Sequence, residues 1–371
     1  MRVGSSNLQC FRSDCGGSCS HPSPLSLSFQ GMSSVPTDNP VVAHPASACW
    51  RALPPEYAIP ENAPSLQEAE EYCSRLAHSH YENFSVVTWF LPRRLHQHFY
   101  NVYAYCRISD DLGDEVGNAE LSLALLDAWE SELNATYLSL VEPPLKDVPQ
   151  DAGKLKPEFA RRNRVSPRHP VFIALRETIR ECHIPRAPFA DLLTAFRQDQ
   201  TVGRYPTFGD VLGYCRNSAN PVGRLVLYVC GYRDVERQQL SDYTCTALQL
   251  ANFWQDVVRD YSKGRIYLPL EDLAKYGVSE RDIAERRATP AFLEMMKFEV
   301  ERAREWFHKG LPLAKMVDKH LATDIDLFSR GGLEILSAIE RQSYDVLSRR
   351  PAISKPRKFW LVARSALGKL L

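Results

Sequence analysis

Residues 252–269 have the sequence "NFWQDVVRDYSKGRIYLP". Three polar residues in it, Asn252, Asp256 and Asp260, follow one another at intervals of four. Residues four apart stack on one face of an α-helix. The residues between them are mostly apolar. The segment therefore predicts a largely apolar helix with one polar face that carries two aspartates. If this face is buried, its carboxylates need a metal ion or a basic side chain to balance their charge.

A second stretch, "YAYCRISDDLGDE" at residues 103–115, repeats this spacing. Asp110 and Asp114 are four apart, and Arg107 precedes Asp110 by about one turn. The spacing alone is a weak signal, because an exposed charged helix face gives the same pattern. A third copy, Asp147 and Asp151, falls in a Pro-rich segment and is predicted to be solvated surface.

The apolar surroundings of the two helical copies favour burial over an exposed face. A buried ionised carboxylate costs much free energy unless it is paired or bound to a metal. Carboxylate oxygens suit Mg²⁺, which is usually held by one or two carboxylates, waters and substrate phosphates. We therefore predict that the two helices face each other across a cavity that holds Mg²⁺ and a diphosphate. Arg107, Lys263 and Arg265 would add positive charge.

The chain divides into an N-terminal extension and a helical domain. Residues 1–62 are rich in Ser, Pro, Gly and Asn without periodicity, which predicts disorder. Residues 63–371 are predicted to form one all-α domain around a single core, with an exposed loop at 141–168. Ser65 and Glu68 form a capping box for its first helix. Further helices are predicted from about 92, and at 119–138, 170–182, 187–200, 207–217, 221–231, 235–261, 290–309, 321–349 and 356–370.

The composition excludes several classes of protein. The 371 residues include 45 basic and 45 acidic side chains, and this balance argues against a nucleic-acid binder. No run of 18 apolar residues predicts a transmembrane helix, and the N-terminus lacks the apolar core of a secretory signal. Six of the ten cysteines lie in apolar helical patterns, where cysteine behaves as a small hydrophobe. We expect a reduced, cytoplasmic protein.

Four segments together resemble the squalene/phytoene synthase family, in order, over roughly residues 66–360. The two acidic stretches resemble its two aspartate-rich motifs. "RYPTFGDVLGYCRNSANPVGRLVL" at 204–227 and "AIERQSYDVLSRRPAISKPRK" at 338–358 are similar to two further family segments. "YENFSVVTWFLPRRL" at 81–95 and Gln255 in "NFWQDV" are similar to the bacterial hydroxysqualene branch of the hopanoid pathway.

The resemblance implies an all-α isoprenoid-synthase bundle around a central cavity, and it implies roles for particular residues. The positions that match the family's Mg²⁺–diphosphate residues are Asp110, Asp114, Asn252, Asp256 and Asp260. The basic positions near the diphosphate are Arg107 and Lys263 or Arg265. The matching pocket positions are Tyr103, Asp111, Tyr205, Tyr214, Gln249 and Asn252.

The implied reaction is the Mg²⁺-dependent ionisation of presqualene diphosphate and the capture of the cation by water, which gives hydroxysqualene. No glycine-rich dinucleotide fingerprint occurs, and we expect no NADPH. One alternative is head-to-head condensation of two farnesyl or geranylgeranyl diphosphates. An alternative of another class is a non-catalytic assembly or lipid-binding factor, against which the intact acidic pairs argue.

Several residues have two interpretations at this stage. Phe253, Trp254, Tyr103 and Phe196 are candidates for cation–π stabilisation or for plain core packing, and core packing is equally open for Tyr214. Asn220 is either a helix cap or a site residue. For Gly223, in the same segment, a structural role and a role in the site are both open.

Residues 355–371, a basic amphipathic tail, would either lie on the inner face of the membrane or close the bundle. The partners implied are a C30 or C15 isoprenoid diphosphate and neighbouring enzymes of the squalene pathway.

Overall fold

The structure, a computed structural model, describes residues 58–79, 91–141 and 166–354, and most of these residues are helical. They contain no β-strand, only an isolated bridge between Arg204 and Ile266, so the all-α prediction is confirmed. Short 3₁₀ helices lie at Arg93–Leu95 and Leu311–Lys315. The α-helices are α1 (Leu66–Ser79), α2 (His96–Asp114), α3 (Ala119–Val141), α4 (Pro170–Cys182), α5 (Ala187–Gln198), α6 (Phe208–Ser218), α7 (Asn220–Val229), α8 (Val235–Gln255), α9 (Val257–Ser262), α10 (Leu270–Tyr276), α11 (Glu280–Ala284), α12 (Pro290–Gly310) and α13 (Lys319–Arg341).

The predicted capping box at the start of α1 is present. The Ser65 amide donates to Glu68 Oε2 at 2.8 Å, and the Glu68 amide donates to Ser65 Oγ at 3.3 Å. These reciprocal bonds satisfy two amides that have no partner inside the helix. α6 begins in the same way at Thr207 and Asp210. Local sequence therefore sets where both helices begin.

Two apolar clusters make the core, and a cavity lies between them. One cluster joins α1, α2, α3, α4, α5 and part of α7, and includes Trp129 and Phe172. The other joins α6, α8, α9, α12 and α13, and includes Trp254 and Phe307. The cavity is lined by residues of α2, α5, α6, α7, α8 and α13. The packing thus places both acidic helices, α2 and α8, at its wall.

The helix predicted at 235–261 is interrupted at Asp256, which separates α8 from α9. Its backbone angles, φ −108° and ψ 19°, depart from helical values. The hydrogen bonds from the Asp256 amide to Asn252 O and from the Asp260 amide to Asp256 O, each 2.9 Å, nevertheless continue the helical ladder. The four-residue hydrogen-bond spacing that links the three polar residues is therefore kept across the break.

The helix predicted at 321–349 ends earlier, at Arg341. Ser343 and Tyr344 adopt positive φ angles, 54° and 66°. Their amides donate to Glu340 O at 2.8 Å and to Ile339 O at 2.9 Å, which is the hydrogen-bond pattern of a Schellman motif. The chain then turns back toward the end of α8. The short helices α10 and α11 were not predicted.

Several predictions lie outside the described residues: the extension at 1–57, the greater part of the loop at 141–168 with Asp147 and Asp151, and the tail at 355–371. The end of that loop is described: Ser166 and Arg168 are exposed there, and Pro167 is buried. No helix of the described ranges is long and apolar enough to cross a bilayer. The six described cysteines are free thiols, as predicted.

Two adjacent glycines of α13 offer a matched test of the packing. A Cβ on Gly332 would lie 2.8 Å from Phe307 Cε1 and 2.9 Å from Leu248 Cδ2, whereas one on Gly331 would meet no described atom within 4 Å. We expect Gly332→Ala to lower the free energy of unfolding by about 1–3 kcal/mol through overpacking. Gly331→Ala should raise it by about 0.5–1 kcal/mol, since alanine favours helix. Urea denaturation of both variants measures this, and equal effects would contradict the packing described.

Candidate active site

The cavity is mostly apolar, and its lining becomes more polar toward the two acidic motifs. On α2 the lining residues run from Phe99 and Val102 to Arg107 and Asp110. On α8 they end at Gln249, three residues before Asn252. The acidic ends of α2 and α8 therefore define one end of the cavity, which we call the acidic end. Asp324 of α13, 2% exposed, lies among apolar lining residues elsewhere in the wall.

Asp114 joins the two acidic motifs at this end. Lys263 Nζ lies 3.1 Å from Asp114 Oδ2, and Arg265 Nη1 lies 2.9 Å from Asp114 Oδ1. Both cations follow α9, where the Lys263 and Arg265 amides donate to Asp260 O at 3.0 and 2.9 Å. The turn they occupy includes Gly264, whose φ of +78° favours glycine. The end of α2 is thereby tied to the turn that follows the second acidic motif.

Arg265 also contacts Asp199, which the sequence did not single out. Its Nη2 donates to Asp199 O at 3.2 Å, and its Nη1 lies 3.9 Å from Asp199 Oδ2. Burial lowers the pKa of the Arg265 guanidinium, but Asp199 and Asp114 raise it by more, so it stays charged. Tyr214 and Tyr267 donate to the Asp199 carboxylate at 2.8 and 3.2 Å. Asp199 follows α5 without any motif that would mark it.

Arg107 and Asp111, which precede Asp114 on α2, form an ion pair through two hydrogen-bonding contacts. Arg107 Nη2 lies 2.6 Å from Asp111 Oδ1, and Nε donates to Oδ2 at 2.9 Å. Arg107 and Asp110 line the cavity, whereas the Asp111 carboxylate, predicted as a pocket position, faces Arg107. Burial raises the pKa of the nearby Tyr103 phenol to about 12, against an opposing effect of Arg107. Tyr103 is therefore neutral at physiological pH.

Asp256 is held by a residue far along the chain. Arg350 Nε and Nη2 donate to its two carboxylate oxygens at 2.6 and 2.9 Å. Hydrogen bonding to Asp256 raises the pKa of Arg350. The Gln255 amide donates to Pro351 O at 2.6 Å and fixes the same segment. Arg350 lies in the quoted segment 338–358, but nothing in the spacing predicts that it returns to the acidic end.

The predicted aromatic and pocket residues fall into two groups, those that line the cavity and those that are buried in the core. Tyr103, Phe196, Tyr214 and Gln249 line the cavity. The other aromatic candidates are buried instead in the core beside it: Tyr205 contacts the Tyr214 and Tyr267 rings, Phe253 stacks on Tyr267 at 3.8 Å, and Trp254 donates to Glu299 O at 3.1 Å. For Phe253 and Trp254 the core interpretation is favoured, because both are buried and neither lines the cavity.

Asn220 does not cap α7, so that interpretation is wrong. It is the first helical residue, and Ala219 before it makes no side-chain cap. Asn220 Oδ1 instead accepts a hydrogen bond of 3.0 Å from Thr246 Oγ1 on α8. Gly223, the second ambiguous residue, lines the cavity where α7 packs closely on α8, and a Cβ there would collide with Ser241 and Cys245.

The acidic residues do not form a ready-made metal cluster. In the described part of the chain, no three His, Cys, Asp or Glu side chains are grouped to hold an ion. Asp114 and Asp256 instead form ion pairs with Lys263, Arg265 and Arg350, whose charges neutralise these carboxylates. Oxygen donors of this kind fit Mg²⁺, which completes its shell with waters and phosphate oxygens.

Comparisons with known proteins place this geometry in a family. The family model described as squalene/phytoene synthase matches residues 77–357. The 15-cis-phytoene synthase of Synechococcus elongatus is 28% identical over 306 residues, which cover 79% of this chain and 91% of the relative. The hydroxysqualene synthase of Rhodopseudomonas palustris is 30% identical over 289 residues, which cover 77% and 88%.

Solved structures agree with these relatives. The squalene synthase HpnC of Alicyclobacillus acidocaldarius is 42% identical, with a TM-score of 0.66 over 80% of this chain and 98% of that one. A dehydrosqualene synthase in complex with ligand is 25% identical, with a TM-score of 0.67 over 82% and 97%. The match exceeds half of the chain and includes both acidic motifs. The chain therefore belongs to the squalene/phytoene synthase family and is an enzyme of the prenyltransferase type.

Proposed function

We propose that this enzyme ionises presqualene diphosphate and captures the resulting carbocation with water, giving hydroxysqualene and diphosphate. The observation that carries the proposal is the salt-bridged meeting of the two acidic motifs, through Asp114, Lys263 and Arg265, at one end of an apolar cavity. The choice of water capture rests on the similarity to the Rhodopseudomonas palustris hydroxysqualene synthase.

The diphosphate is proposed to bind at the acidic end. Asp110 and Asp114 on one side, and Asn252, Asp256 and Asp260 on the other, are the residues that would hold Mg²⁺, on which this family generally depends. The ion, when bound, neutralises charge on the departing diphosphate. Arg107, Lys263 and Arg265 add fixed positive charge where the negative charge develops, an effect that commonly supplies the largest catalytic contribution.

The carbocation is proposed to lie just inside the cavity. Its walls there are largely apolar and exclude bulk water, which would otherwise react at random positions. The Tyr103 and Phe196 rings face this space, and an aromatic face stabilises a cation by about 0.5–2 kcal/mol. Because its pKa is raised to about 12, the Tyr103 phenol stays neutral and offers no strong nucleophile.

The second candidate is head-to-head condensation of two farnesyl or two geranylgeranyl diphosphates. The similarity to the Synechococcus phytoene synthase, over 79% of this chain, favours it. The same acidic end and cavity would serve both reactions, because each begins with the loss of diphosphate from a prenyl carbon. Only the substrate and the fate of the cation separate them.

A product assay distinguishes the two candidates. The purified full chain is incubated with Mg²⁺ and either presqualene diphosphate, farnesyl diphosphate or geranylgeranyl diphosphate, without NADPH, and products are identified by mass spectrometry. We expect hydroxysqualene from presqualene diphosphate, with an ¹⁸O label when the reaction runs in H₂¹⁸O. Consumption of farnesyl or geranylgeranyl diphosphate, with no turnover of presqualene diphosphate, would overturn the proposal in favour of the second candidate.

A further inference from the structure

The contacts between α6–α7 and α8 fix which residues lie at the same depth in the cavity. The Tyr214 ring lies 6.0 Å from the Phe253 ring. Farther along both segments, Thr246 Oγ1 donates to Asn220 Oδ1 at 3.0 Å. The two segments therefore run antiparallel. Ser218 lies between the contacts on one side and Gln249 on the other, and both line the cavity.

The part of the cavity lined by Ser218 and Gln249 lies next to the acidic end. Gln249 precedes Asn252 by three residues and Asp256 by seven, which correspond to about 4.5 and 10 Å of helix. A diphosphate bound at the acidic end would place its ester carbon at about this depth. Ser218 and Gln249 would then lie next to the carbon that becomes positively charged.

Both side chains have hydrogen-bonding capacity that other described residues do not use. Ser218 Oγ is buried and has no hydrogen-bond partner among them. The Gln249 amide, in a residue only 3% exposed, makes no hydrogen bond within the same set of residues. Leaving a buried polar group unpaired costs about 1–3 kcal/mol.

The residues next to Ser218 and Gln249 in the cavity wall are apolar. Ala219, Val222 and Leu248 make up the neighbouring wall. A water molecule in a protein interior needs two to four polar partners. Rotation about the single χ1 bond moves a serine hydroxyl between its staggered positions, so Ser218 can turn its hydroxyl toward the cavity. Together with the Gln249 amide it can supply the partners for one water.

We propose that Ser218, with Gln249, binds the water molecule that captures the carbocation. This inference rests on the proposed function. The bond between the substrate carbon and the diphosphate oxygen breaks, and its electron pair leaves with the diphosphate. The water oxygen then donates a lone pair to form the new C–O bond, and its proton passes to the departing diphosphate. Ser218 accepts a hydrogen bond from the water and keeps that lone pair directed at the carbon.

The test is Ser218→Ala, assayed with presqualene diphosphate and Mg²⁺ for both diphosphate release and product identity. Ionisation precedes water capture, so diphosphate release should continue. The ratio of hydroxysqualene to hydrocarbon formed by proton loss should fall by about tenfold, the effect of losing one hydrogen bond. Ser218→Thr keeps the hydroxyl and should restore most of the alcohol.

A matched control is Ser122→Ala. Ser122 Oγ is also buried without a hydrogen-bond partner among the described residues, but it lies in α3 and does not line the cavity. It should keep the wild-type product ratio. If the wild type makes the alcohol and Ser218→Ala makes the same proportion of it, the inference is wrong and the proposed function stands. If the wild type makes no alcohol, the proposed function fails and the inference fails with it.

Discussion

Asp256→Asn is expected to lower turnover by about 10³-fold, because it removes a negative charge from the proposed Mg²⁺–diphosphate site while keeping the shape of the side chain. Asp110→Asn, in the first acidic motif, should have an effect of the same size. The two losses should not add, since both residues serve one site, and the double variant should be little worse than either single variant. Steady-state release of diphosphate from presqualene diphosphate measures all three.

The fold should survive these changes. Asp256 pairs with Arg350, whose side chain is 39% exposed, and a partly exposed pair contributes about 0–1 kcal/mol. We therefore expect a fall of at most a few degrees in Tm. Asp326→Asn is the control, because Asp326 pairs with Arg330 on α13 and does not line the cavity. Wild-type turnover in Asp256→Asn or Asp110→Asn, or an equal loss in Asp326→Asn, would contradict the assignment.

Arg265→Gln is expected to reduce both stability and turnover. The guanidinium, 11% exposed, lies between Asp114 and Asp199, and its removal leaves Asp114 with Lys263 and takes the Arg265 charge away from Asp199. Loss of one partner from a buried pair costs about 3–5 kcal/mol. Turnover should fall by about 10²-fold or more, because a fixed positive charge is lost where the diphosphate leaves. Urea denaturation and diphosphate release measure the two effects separately.

Lys263→Gln is the matched comparison, because Lys263 contacts the same carboxylate but is 41% exposed. Its cost in stability should be about 0–1 kcal/mol. Arg265→Lys should fall between wild type and Arg265→Gln, since lysine keeps the charge but not the planar two-pronged donor. If Arg265→Gln were no less stable than Lys263→Gln, the bridging role of Arg265 would be wrong.

Regular features of the site could be predicted from the sequence because they depend on residues close together in the chain. The four-residue spacing of Asp110 and Asp114 predicted one helical face, and α2 carries both at the acidic end. The capping box at Ser65 and Glu68 predicted where α1 begins, since both partners lie within one turn. In each case the hydrogen bonds or side-chain pairs lie three or four residues apart.

Contacts between distant segments could not be predicted in this way. Arg350 reaches Asp256 only because α13 stops at a left-handed turn formed by Ser343 and Tyr344, residues that seldom adopt positive φ. Asp199 is placed between Arg265 and Tyr214 by the packing of α5 against α6 and the turn after α9. No local pattern marks either residue.

The positions of Phe253 and Trp254 show a further limit of prediction from the sequence. Apolar residues around a helix predict burial but not which neighbour each one faces. Phe253 and Trp254 pack toward Tyr267 and α12, while Gln249 one turn earlier faces the cavity. The direction each side chain takes depends on how α8 is rotated between its neighbours, and this is set only in the folded bundle.

The most direct test of the account is calorimetric titration of the full chain with inorganic diphosphate, with Mg²⁺ present and again with EDTA. The account predicts binding that requires Mg²⁺ and that is lost in both Asp110→Asn and Asp256→Asn, because residues of both acidic motifs hold one metal–diphosphate complex. Equal affinity with and without Mg²⁺, or full binding in both variants, would contradict it.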